Sequence, residues 1–274
     1  MPRYSSAPLI LITGISSGIG YACAEAFLKE GYRVVGFSRR EKAPVGARCI
    51  PCDLSSDQST FDAVQILLRE LGCPDLLLLN AGFGISGPIE NCPPDKALQQ
   101  FNVNYFGAVR VLNALLPHLR EKAQSQTTHQ PRICFISSAA AFFPLPYQAH
   151  YAASKAALTS LIRSLSMEVK KEGIKVCSLL PGDVSTGFTA QREHLEQLNV
   201  SSAYAGANRS ISRMEQDEQK GRSASWVASK VLKICKKKHP PICFVPGMTY
   251  RLLYYLQKFL PQRLTDYLIR KLYT

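Results

Sequence analysis

The sequence predicts an α/β protein built on a doubly wound parallel sheet, and three observations support this class. Short, almost continuously apolar segments alternate along much of the chain with longer segments whose apolar residues recur at helical spacing. Apolar strands separated by helices are typical of a parallel sheet covered on both faces. The chain has 274 residues, of which 46% are hydrophobic and 19% charged, so it can bury a large core and is not wholly disordered.

The predicted elements follow one another in regular alternation. The strands are expected at Leu9–Thr13, Tyr32–Phe37, Cys49–Cys52, Asp75–Leu79, Arg132–Ile136 and Lys175–Leu180. The helices are expected at Tyr21–Lys29, Phe61–Leu71, Leu98–Leu119 and Tyr151–Val169. Residues 191–221 are polar and show no strand pattern, whereas Ile242–Val245 predicts one more strand. We therefore expect one domain over residues 1–249, with a mobile substrate loop at about 185–225, and a helical segment over 250–274.

The net charge of +13 is unevenly distributed. Residues 228–274 contain ten Lys or Arg and a single acid, Asp266, and so carry nine of the thirteen excess charges. This clustering argues against a uniformly basic coat for nucleic acid and leaves an anionic membrane surface or an anionic ligand as partners. A nucleic-acid binder that uses Lys236, Lys237 and Lys238 is a minor alternative, and we expect no nucleic-acid partner.

The nine cysteines are scattered singly except for Cys49-Ile50-Pro51-Cys52. No thioredoxin-like order of elements surrounds this pair and no second pair completes a zinc site, so we expect buried free thiols and no metal. No apolar run approaches the ~20 residues of a membrane span, and the first residues do not resemble a signal peptide. The expected location is cytoplasmic, with peripheral contact with a membrane surface as a further option.

A glycine-rich segment, Thr13-Gly14-Ile15-Ser16-Ser17-Gly18-Ile19-Gly20, joins the first strand to the first helix. Glycines permit a tight turn there, and the N–H groups of the helix N-terminus can face a pyrophosphate. The spacing differs from the general Gly-x-Gly-x2-Gly fingerprint, and such turns also occur without a ligand. Alone, the segment is a weak indication of a dinucleotide site.

The end of the second strand carries Ser38-Arg39-Arg40. An enzyme for NAD usually has a carboxylate here that binds the ribose hydroxyls. Arg39 can instead hold a 2′-phosphate through charge-assisted hydrogen bonds. We therefore predict NADP(H) as the cofactor, with NAD(H) as the less favoured option. Arg40 fits a solvated loop equally well.

Tyr151 and Lys155 lie one turn apart at the start of a predicted helix. A tyrosine with a pKa near ~10 is a poor acid–base catalyst at neutral pH, and a nearby ammonium lowers that pKa. Ser138 follows a strand and thus lies at the carboxyl edge of the sheet, where ligands of doubly wound folds bind. Its neighbour Ser137 is a competing candidate.

These motifs together resemble the classical short-chain dehydrogenase/reductase family over about residues 8–190. The motifs are TGISSGIG at 13–20, Asp53-Leu54, Asn80-Ala81-Gly82, Asn104 in FNVNYFG, Ser138, Tyr151-x3-Lys155, and Pro181-Gly182 with Val184 and Thr186. The resemblance implies a Rossmann fold and an oxidoreductase that interconverts a ketone or aldehyde and an alcohol with NAD(P). It also implies a homodimer or homotetramer, in which helices Leu98–Leu119 and Tyr151–Val169 often pair subunits.

The resemblance also implies a role for each matching residue. Tyr151 would exchange the proton of the substrate oxygen, and Ser138 would hydrogen-bond that oxygen. Lys155 would bind the nicotinamide ribose and lower the Tyr151 pKa, and Asn104 would hold a water that links Lys155 to solvent. The remaining matches, Asp53, Leu54, Asn80, Ala81, Gly82, Pro181, Gly182, Val184 and Thr186, would surround the cofactor. One departure is Ser17, which stands where many NADP-using members carry Lys or Arg.

An apolar cluster predicts the kind of substrate. It comprises Phe83, Phe142, Phe143, Pro144, Leu145, Pro146, Tyr147 and Phe188. If several of these converge near the reactive carbonyl, they favour a lipophilic substrate over a sugar: a steroid, a retinoid, a keto-lipid or a xenobiotic carbonyl. A non-catalytic NADP(H) sensor or scaffold is the alternative function, although such relatives generally lack part of the Asn–Ser–Tyr–Lys set.

The last segment consists of two amphipathic stretches, Tyr250–Leu260 and Arg263–Tyr273, separated by Pro261. Leucines repeat along one face and basic residues flank them, which is typical of a helix at a membrane interface. The same pattern fits a lid over the substrate site or a contact between subunits. The sequence leaves these three alternatives open.

Overall fold

The computed structural model describes residues 7–125, 129–195 and 206–273. The strands are β1 Leu9–Thr13, β2 Arg33–Ser38, β3 Arg48–Pro51, β4 Leu76–Leu79, β5 Ile85–Ser86, β6 Arg132–Ile136, β7 Lys175–Leu179, β8 Val184–Ser185, β9 Glu193–His194, β10 Arg222–Ser223 and β11 Cys243–Phe244. The helices are α1 Gly18–Lys29, α2 Asp57–Glu70, α3 Pro94–Phe101, α4 Gly107–Gln124, α5 Ala149–Glu168, α6 Gly187–Ala190, α7 Ala207–Gln219, α8 Ala224–Cys235, α9 Met248–Leu256 and α10 Gln262–Tyr273.

Seven of the strands form one parallel sheet in the order β11-β7-β6-β4-β1-β2-β3. From β1 the chain proceeds outward through β2 and β3, and then crosses to β4 and proceeds the other way through β6, β7 and β11. This confirms the predicted doubly wound sheet. The direction reverses between β1 and β4, and the crevice outside their carboxyl ends is where such folds bind ligands.

Alternating side chains of the strands pack into two cores, one on each face of the sheet. Leu11, Leu77 and Phe135 face the first core, which is covered by α2, α4 and α5. Ile12 and Leu78 face the second core, which is covered by α1 and α8. Both faces are therefore apolar, as the almost continuously hydrophobic strands predict.

The predicted bounds of β1 and β6 coincide with the observed ones, but the helix expected over Leu98–Leu119 is wrong as a single element. The structure divides it into α3, a π-helical turn at Asn102–Phe106 and α4. One π turn is a short interruption that adds a single residue to the helix, and the apolar pattern over Leu98–Leu119 did not reveal it. Such turns are frequent at functional sites, and this one contains Asn104.

The expectation that residues 191–221 contain no strand is also wrong. Glu193–His194 pairs with Ile85–Ser86, and α7 follows later in the same region. A two-residue strand is too short for alternation to show, and α7 buries only a narrow apolar stripe, so both escaped detection. Residues 196–205 of the predicted substrate loop lie outside the described part of the chain.

All nine cysteines are free. Five are buried, as predicted, but Cys49, Cys73, Cys92 and Cys243 are only partly so, because they lie near the ends of elements. The Sγ atoms of Cys134, Cys177 and Cys235 all lie within 4.8 Å of one another in the second core. Among the described helices, none is long and apolar enough to cross a membrane.

Candidate active site

A cavity of about 1480 Å³ opens along the carboxyl edge of the sheet. The predicted site residues that line it are Gly14, Ser16, Ser17, Gly18, Ile19, Ser38, Arg39, Asp53, Leu54, Asn80, Ala81, Gly82, Ser138, Tyr151, Lys155, Pro181, Gly182, Val184 and Thr186. Three predicted residues, Thr13, Gly20 and Asn104, do not line the cavity; they are buried and support its wall from behind.

The glycine-rich turn fits the pyrophosphate of a dinucleotide. Gly14 adopts a φ of +72°, and a Cβ at Gly20 would lie 2.2 Å from the Gly14 carbonyl oxygen, so the turn can pack against α1 only with glycine there. Ser17 is the extended N-cap residue of α1, its side chain accepts no hydrogen bond from the N–H groups of the first turn, and that turn carries no acid. The N–H groups at this helix end are thus available to an anion.

Thr13 shapes the neighbouring turn rather than the cavity itself. Its Oγ1 accepts hydrogen bonds from the backbone N–H groups of Asn80 at 2.9 Å and Ala81 at 3.1 Å. The Asn80 Nδ2 in return donates to the Thr13 carbonyl oxygen at 3.0 Å. The ends of β1 and β4 are held together in this way, which fixes the floor of the cavity.

Two guanidinium groups, rather than one, stand at the end of β2. Arg39 lines the cavity near Asp53, and Arg40 Nη2 donates to Ser16 Oγ at 3.4 Å and Ser17 Oγ at 3.3 Å. The pKa of the Asp53 carboxyl is lowered: partial burial opposes this, but hydrogen bonds from Ser55 and the charge of Arg39 outweigh it. Arg40 therefore folds back over the glycine-rich turn.

Ser138, Tyr151 and Lys155 meet on the opposite wall. Ser138 lies close enough to the Tyr151 hydroxyl to act against the rise of its pKa, and the Lys155 Nζ lies 5.9 Å from the centre of the Tyr151 ring and donates to the Ile136 carbonyl oxygen at 3.1 Å. Ser137 instead pairs with Thr159 Oγ1 at 2.9 Å inside the core. This geometry favours Ser138 over Ser137.

The acid–base properties of this wall are dominated by burial. Desolvation raises the pKa of Tyr151 to about 12, although the hydrogen bond from Ser138 opposes the rise. Desolvation also lowers the pKa of Lys155 to about 8. In the chain without cofactor, Ser138 and Arg192 are the groups that act against the rise of the Tyr151 pKa, and the lowering expected from Lys155 stays a prediction. A positive charge beside the hydroxyl would favour the phenolate.

Asn104 connects the active-site helix to the turn after β4. Its Nδ2 donates to the Phe83 carbonyl oxygen at 3.0 Å and to Ser154 Oγ at 3.1 Å, while its Oδ1 accepts from the Phe83 N–H at 2.9 Å. The side chain is 1% exposed. The π-helical turn places it there, between α5 and the cavity.

The substrate side of the cavity is largely apolar. Phe83, Phe143, Leu145 and Phe188 line it as predicted. The other four predicted residues lie outside the lining: Phe142, Pro144, Pro146 and Tyr147. Helices α8, α9 and α10 and the link between the last two add apolar lining through Trp226, Leu253, Leu256, Leu260, Leu268 and Ile269. The amphipathic pattern of this last segment was visible in the sequence, but not what it covers.

Helix α9 is anchored at the edge of the cavity by Tyr250. The Tyr250 hydroxyl donates to the Asp183 carboxylate, and its ring occupies the space beside Gly182, where a Cβ would come within 2.2 Å of it. Burial raises the pKa of Asp183, although the hydrogen bond from Tyr250 opposes the rise. Gly182 thus admits an aromatic ring of the C-terminal segment, which sequence reasoning missed.

A buried ion pair supports the wall behind Tyr151, and it too was missed. Arg192 donates to the Glu218 carboxylate, and Thr189 Oγ1 donates to the same group at 2.5 Å. The Arg192 guanidinium lies 5.7 Å from the centre of the Phe188 ring, which lies 5.6 Å from that of Tyr151. This stack fixes Phe188 against the candidate proton donor. Charged residues in a polar loop gave no signal for it.

Comparison with known proteins identifies the family. The family model described as short chain dehydrogenase matches residues 8–197. The chain belongs to this family. It is 34% identical to the 3-ketodihydrosphingosine reductase of Bacteroides thetaiotaomicron over 268 residues, which cover 97% of each chain. The chain is accordingly a short-chain dehydrogenase/reductase, an oxidoreductase.

Solved structures agree with this assignment. A short-chain dehydrogenase from Streptomyces avermitilis superposes with a TM-score of 0.79, at 27% identity and 94% coverage of each chain. A short-chain dehydrogenase/reductase from Burkholderia phymatum in complex with NAD superposes with a TM-score of 0.78; at 21% identity, covering 94% of this chain and 96% of that one, it shows the fold alone. Solved proteins of this fold hold NAD(H) or NADP(H).

Proposed function

We propose that this short-chain dehydrogenase/reductase uses NADP(H) to interconvert a lipophilic ketone and the corresponding alcohol, with a long-chain keto-lipid as the favoured substrate. The observation that carries the proposal is the position of Tyr151, with Ser138 beside it, in a cavity whose far wall is largely apolar. The similarity to a 3-ketodihydrosphingosine reductase over nearly the whole of both chains supports the keto-lipid class.

The chain's own residues divide the work of the reaction. A bound nicotinamide cofactor supplies or accepts the hydride. Tyr151 gives its hydroxyl proton to the substrate oxygen in reduction, and Ser138 holds that oxygen in place. Lys155 holds the nicotinamide ribose, and Asn104 connects α5 to the turn that lines the cavity. A Tyr151 pKa raised to about 12 keeps the proton donor loaded at neutral pH.

The preference for NADP(H) rests on two guanidinium groups. Arg39 lines the cavity, and Arg40 reaches the hydroxyls of Ser16 and Ser17 on the glycine-rich turn. Ser17 stands where many NADP-using relatives carry a basic residue, and Arg40 supplies a positive charge close to that place from the neighbouring strand. The two arginines together favour a 2′-phosphate over the free ribose hydroxyl.

The proposed oligomer is a homodimer or homotetramer. Leu98 on α3, Phe106 in the π-helical turn and Met167 on α5 are large apolar side chains exposed in the single chain. They lie on or beside the helices expected to pair subunits. Size-exclusion chromatography with light scattering measures the assembly directly.

The decisive experiment monitors NADPH and NADH oxidation against a panel of carbonyl compounds: 3-keto-lipids, ketosteroids, retinal and quinones. We expect a 3-keto-lipid to give the highest kcat/KM with NADPH. NADPH binding without any turnover across the panel would support a cofactor-binding sensor or scaffold instead.

A further inference from the structure

The C-terminal helices present an unusual surface. Nine of the sixteen large hydrophobic side chains that are exposed in the described chain belong to α9, α10 and the short link between them. They are Met248, Leu252, Leu253, Tyr255, Leu256, Phe259, Leu264, Tyr267 and Leu268. No residue of α9 is buried. A soluble surface rarely carries so dense an apolar patch unless a partner covers it.

Basic residues accompany this apolar patch. Arg251, Lys258, Arg263, Arg270 and Lys271 all belong to the same two helices or their link, against the single acid Asp266. The Lys258 Nζ lies 4.4 Å from the centre of the Tyr254 ring and 5.5 Å from that of Tyr255. Cations beside aromatic and aliphatic side chains on a helix are typical of a segment that lies in a membrane interface.

The patch is continuous with the active-site cavity. Leu253, Leu256 and Leu268 line the cavity and yet remain 42%, 43% and 45% exposed. The lining of the cavity that contains Tyr151 therefore reaches the outer surface of α9 and α10. These three leucines form the mouth of the cavity.

We propose that α9 and α10 dock on an anionic lipid surface with the mouth of the cavity against it, so that a lipid ketone passes from the leaflet to Tyr151. The docking half of the proposal stands on exposure and charge alone. The delivery half rests on the proposed function, because it requires a keto-lipid substrate.

Charge favours a lipid surface over a second copy of the chain as the partner. A two-fold contact through this patch would bring the basic residues of one helix pair against those of the other, since the same surface is used by both subunits. Like charges there would repel, whereas anionic headgroups neutralise them. The apolar side chains at the same time reach the boundary of the acyl region.

The docking test is flotation of the purified chain with vesicles of phosphatidylcholine alone or with about 30 mol% phosphatidylserine. That amount gives the vesicles a negative surface charge on the order of that of a cytoplasmic leaflet. Binding is expected only with phosphatidylserine and is expected to fall in 1 M salt, where the Debye length is about 3 Å. The combined substitution Lys258→Gln, Arg263→Gln and Lys271→Gln should lower the partition coefficient about 100-fold, at about fivefold per cation. The matched control, Lys29→Gln with Lys170→Gln and Lys171→Gln, replaces three exposed cations elsewhere and should leave binding unchanged.

A second pair of variants tests the apolar contribution. Leu252→Ser with Phe259→Ser removes two exposed side chains that do not line the cavity, and should abolish flotation while NADPH binding persists. Val45→Ser with Ile89→Ser, equally exposed but remote, is the control. Equal binding to neutral and charged vesicles, or no loss in either docking variant, would overturn the docking proposal. If the chain binds no vesicle but forms a dimer that depends on Leu252 and Phe259, a second copy of the chain is the partner. That result would also overturn the docking proposal.

Delivery is measured with two substrates, a long-chain 3-keto-lipid embedded in the vesicles and a short, water-soluble 3-keto compound. The docking variants should lose turnover of the embedded substrate at least tenfold while that of the soluble one is unchanged. Equal losses on both substrates, or none on either, would overturn delivery through the mouth. Vesicle binding without turnover of any ketone by the unmodified chain would instead contradict the proposed function and leave docking in place.

Discussion

The two walls of the cavity are constructed differently. The cofactor wall consists of strand ends and the turns after them, held by hydrogen bonds such as those between Thr13 and Asn80. The substrate wall is assembled from remote segments, α8, α9 and α10, and part of it is open to solvent. The chemistry shared by the family therefore has a rigid frame, whereas substrate choice depends on surfaces added late in the chain and more easily changed.

The largest expected effect comes from a substitution beside the cofactor wall. Tyr151→Phe removes only the hydroxyl that carries the proton, so kcat should fall by about 10²–10⁴ or more while NADPH affinity is nearly unchanged. Tyr254→Phe makes the same chemical change on α9, where the ring packs against Phe142 at 4.8 Å. It should change kcat by about twofold at most, because surface changes away from the reacting atoms have small effects. Stopped-flow turnover and fluorescence titration of NADPH measure the two quantities, and full activity of Tyr151→Phe would contradict the assignment.

The next effect concerns the nucleotide end of the same wall. Arg39→Ala should raise the KM for NADPH about 10- to 100-fold and leave that for NADH nearly unchanged, because only NADPH presents a 2′-phosphate; this corresponds to the ~1.5–3 kcal/mol of a charged hydrogen bond. Arg40→Ala should act in the same direction, since its guanidinium lies beside Ser17. Arg163→Ala, at an exposed site on α5, is the control. Equal losses with both cofactors would show that neither arginine binds the phosphate.

The burial of Lys155 in this wall should lower the free energy of unfolding of the chain. Burial lowers its pKa from 10.5 to about 8, so the folded state disfavours the charged form by about 3 kcal/mol at neutral pH. Lys155→Met removes that penalty and loses one hydrogen bond to Ile136, worth about 1 kcal/mol. The variant without cofactor should therefore be about 2 kcal/mol more stable at pH 7.

The pH dependence of this difference follows from the direction of the shift. Between pH 8 and 10.5 the unfolded lysine binds more protons than the folded one, so the stability of the unmodified chain rises with pH relative to the variant. Above pH 10.5 both states are neutral and the advantage of methionine is lost. Urea unfolding of both proteins across this range is the measurement, and a difference independent of pH would contradict the burial cost.

The contrast between the walls also explains what the sequence could predict. The alternation of strands and helices, the glycine-rich turn and the relation of Tyr151 to Lys155 depend on short-range patterns, and the sequence contains them in full. The Arg192–Glu218 pair and the contact of Tyr250 with Gly182 join residues whose proximity no periodicity encodes. The π-helical turn at Asn102–Phe106 is too short to show in the apolar pattern of the two helices it joins, so only the structure distinguishes it from a continuous helix.

The smallest expected effect comes from substitutions in the substrate wall. Leu253→Ala and Leu256→Ala shorten two side chains that line the cavity while remaining almost half exposed. Because each is only partly removed from water, each truncation should weaken contact with a long alkyl chain by about 1 kcal/mol, less than the full burial of a leucine. With substrates dispersed in detergent-free buffer, the kcat/KM for a long-chain ketone should thus fall about fivefold per substitution, whereas that for a short-chain ketone should change little. An equal decrease for short and long ketones would mean that these leucines position the reacting carbonyl, and the apolar wall would then belong to the rigid part of the site.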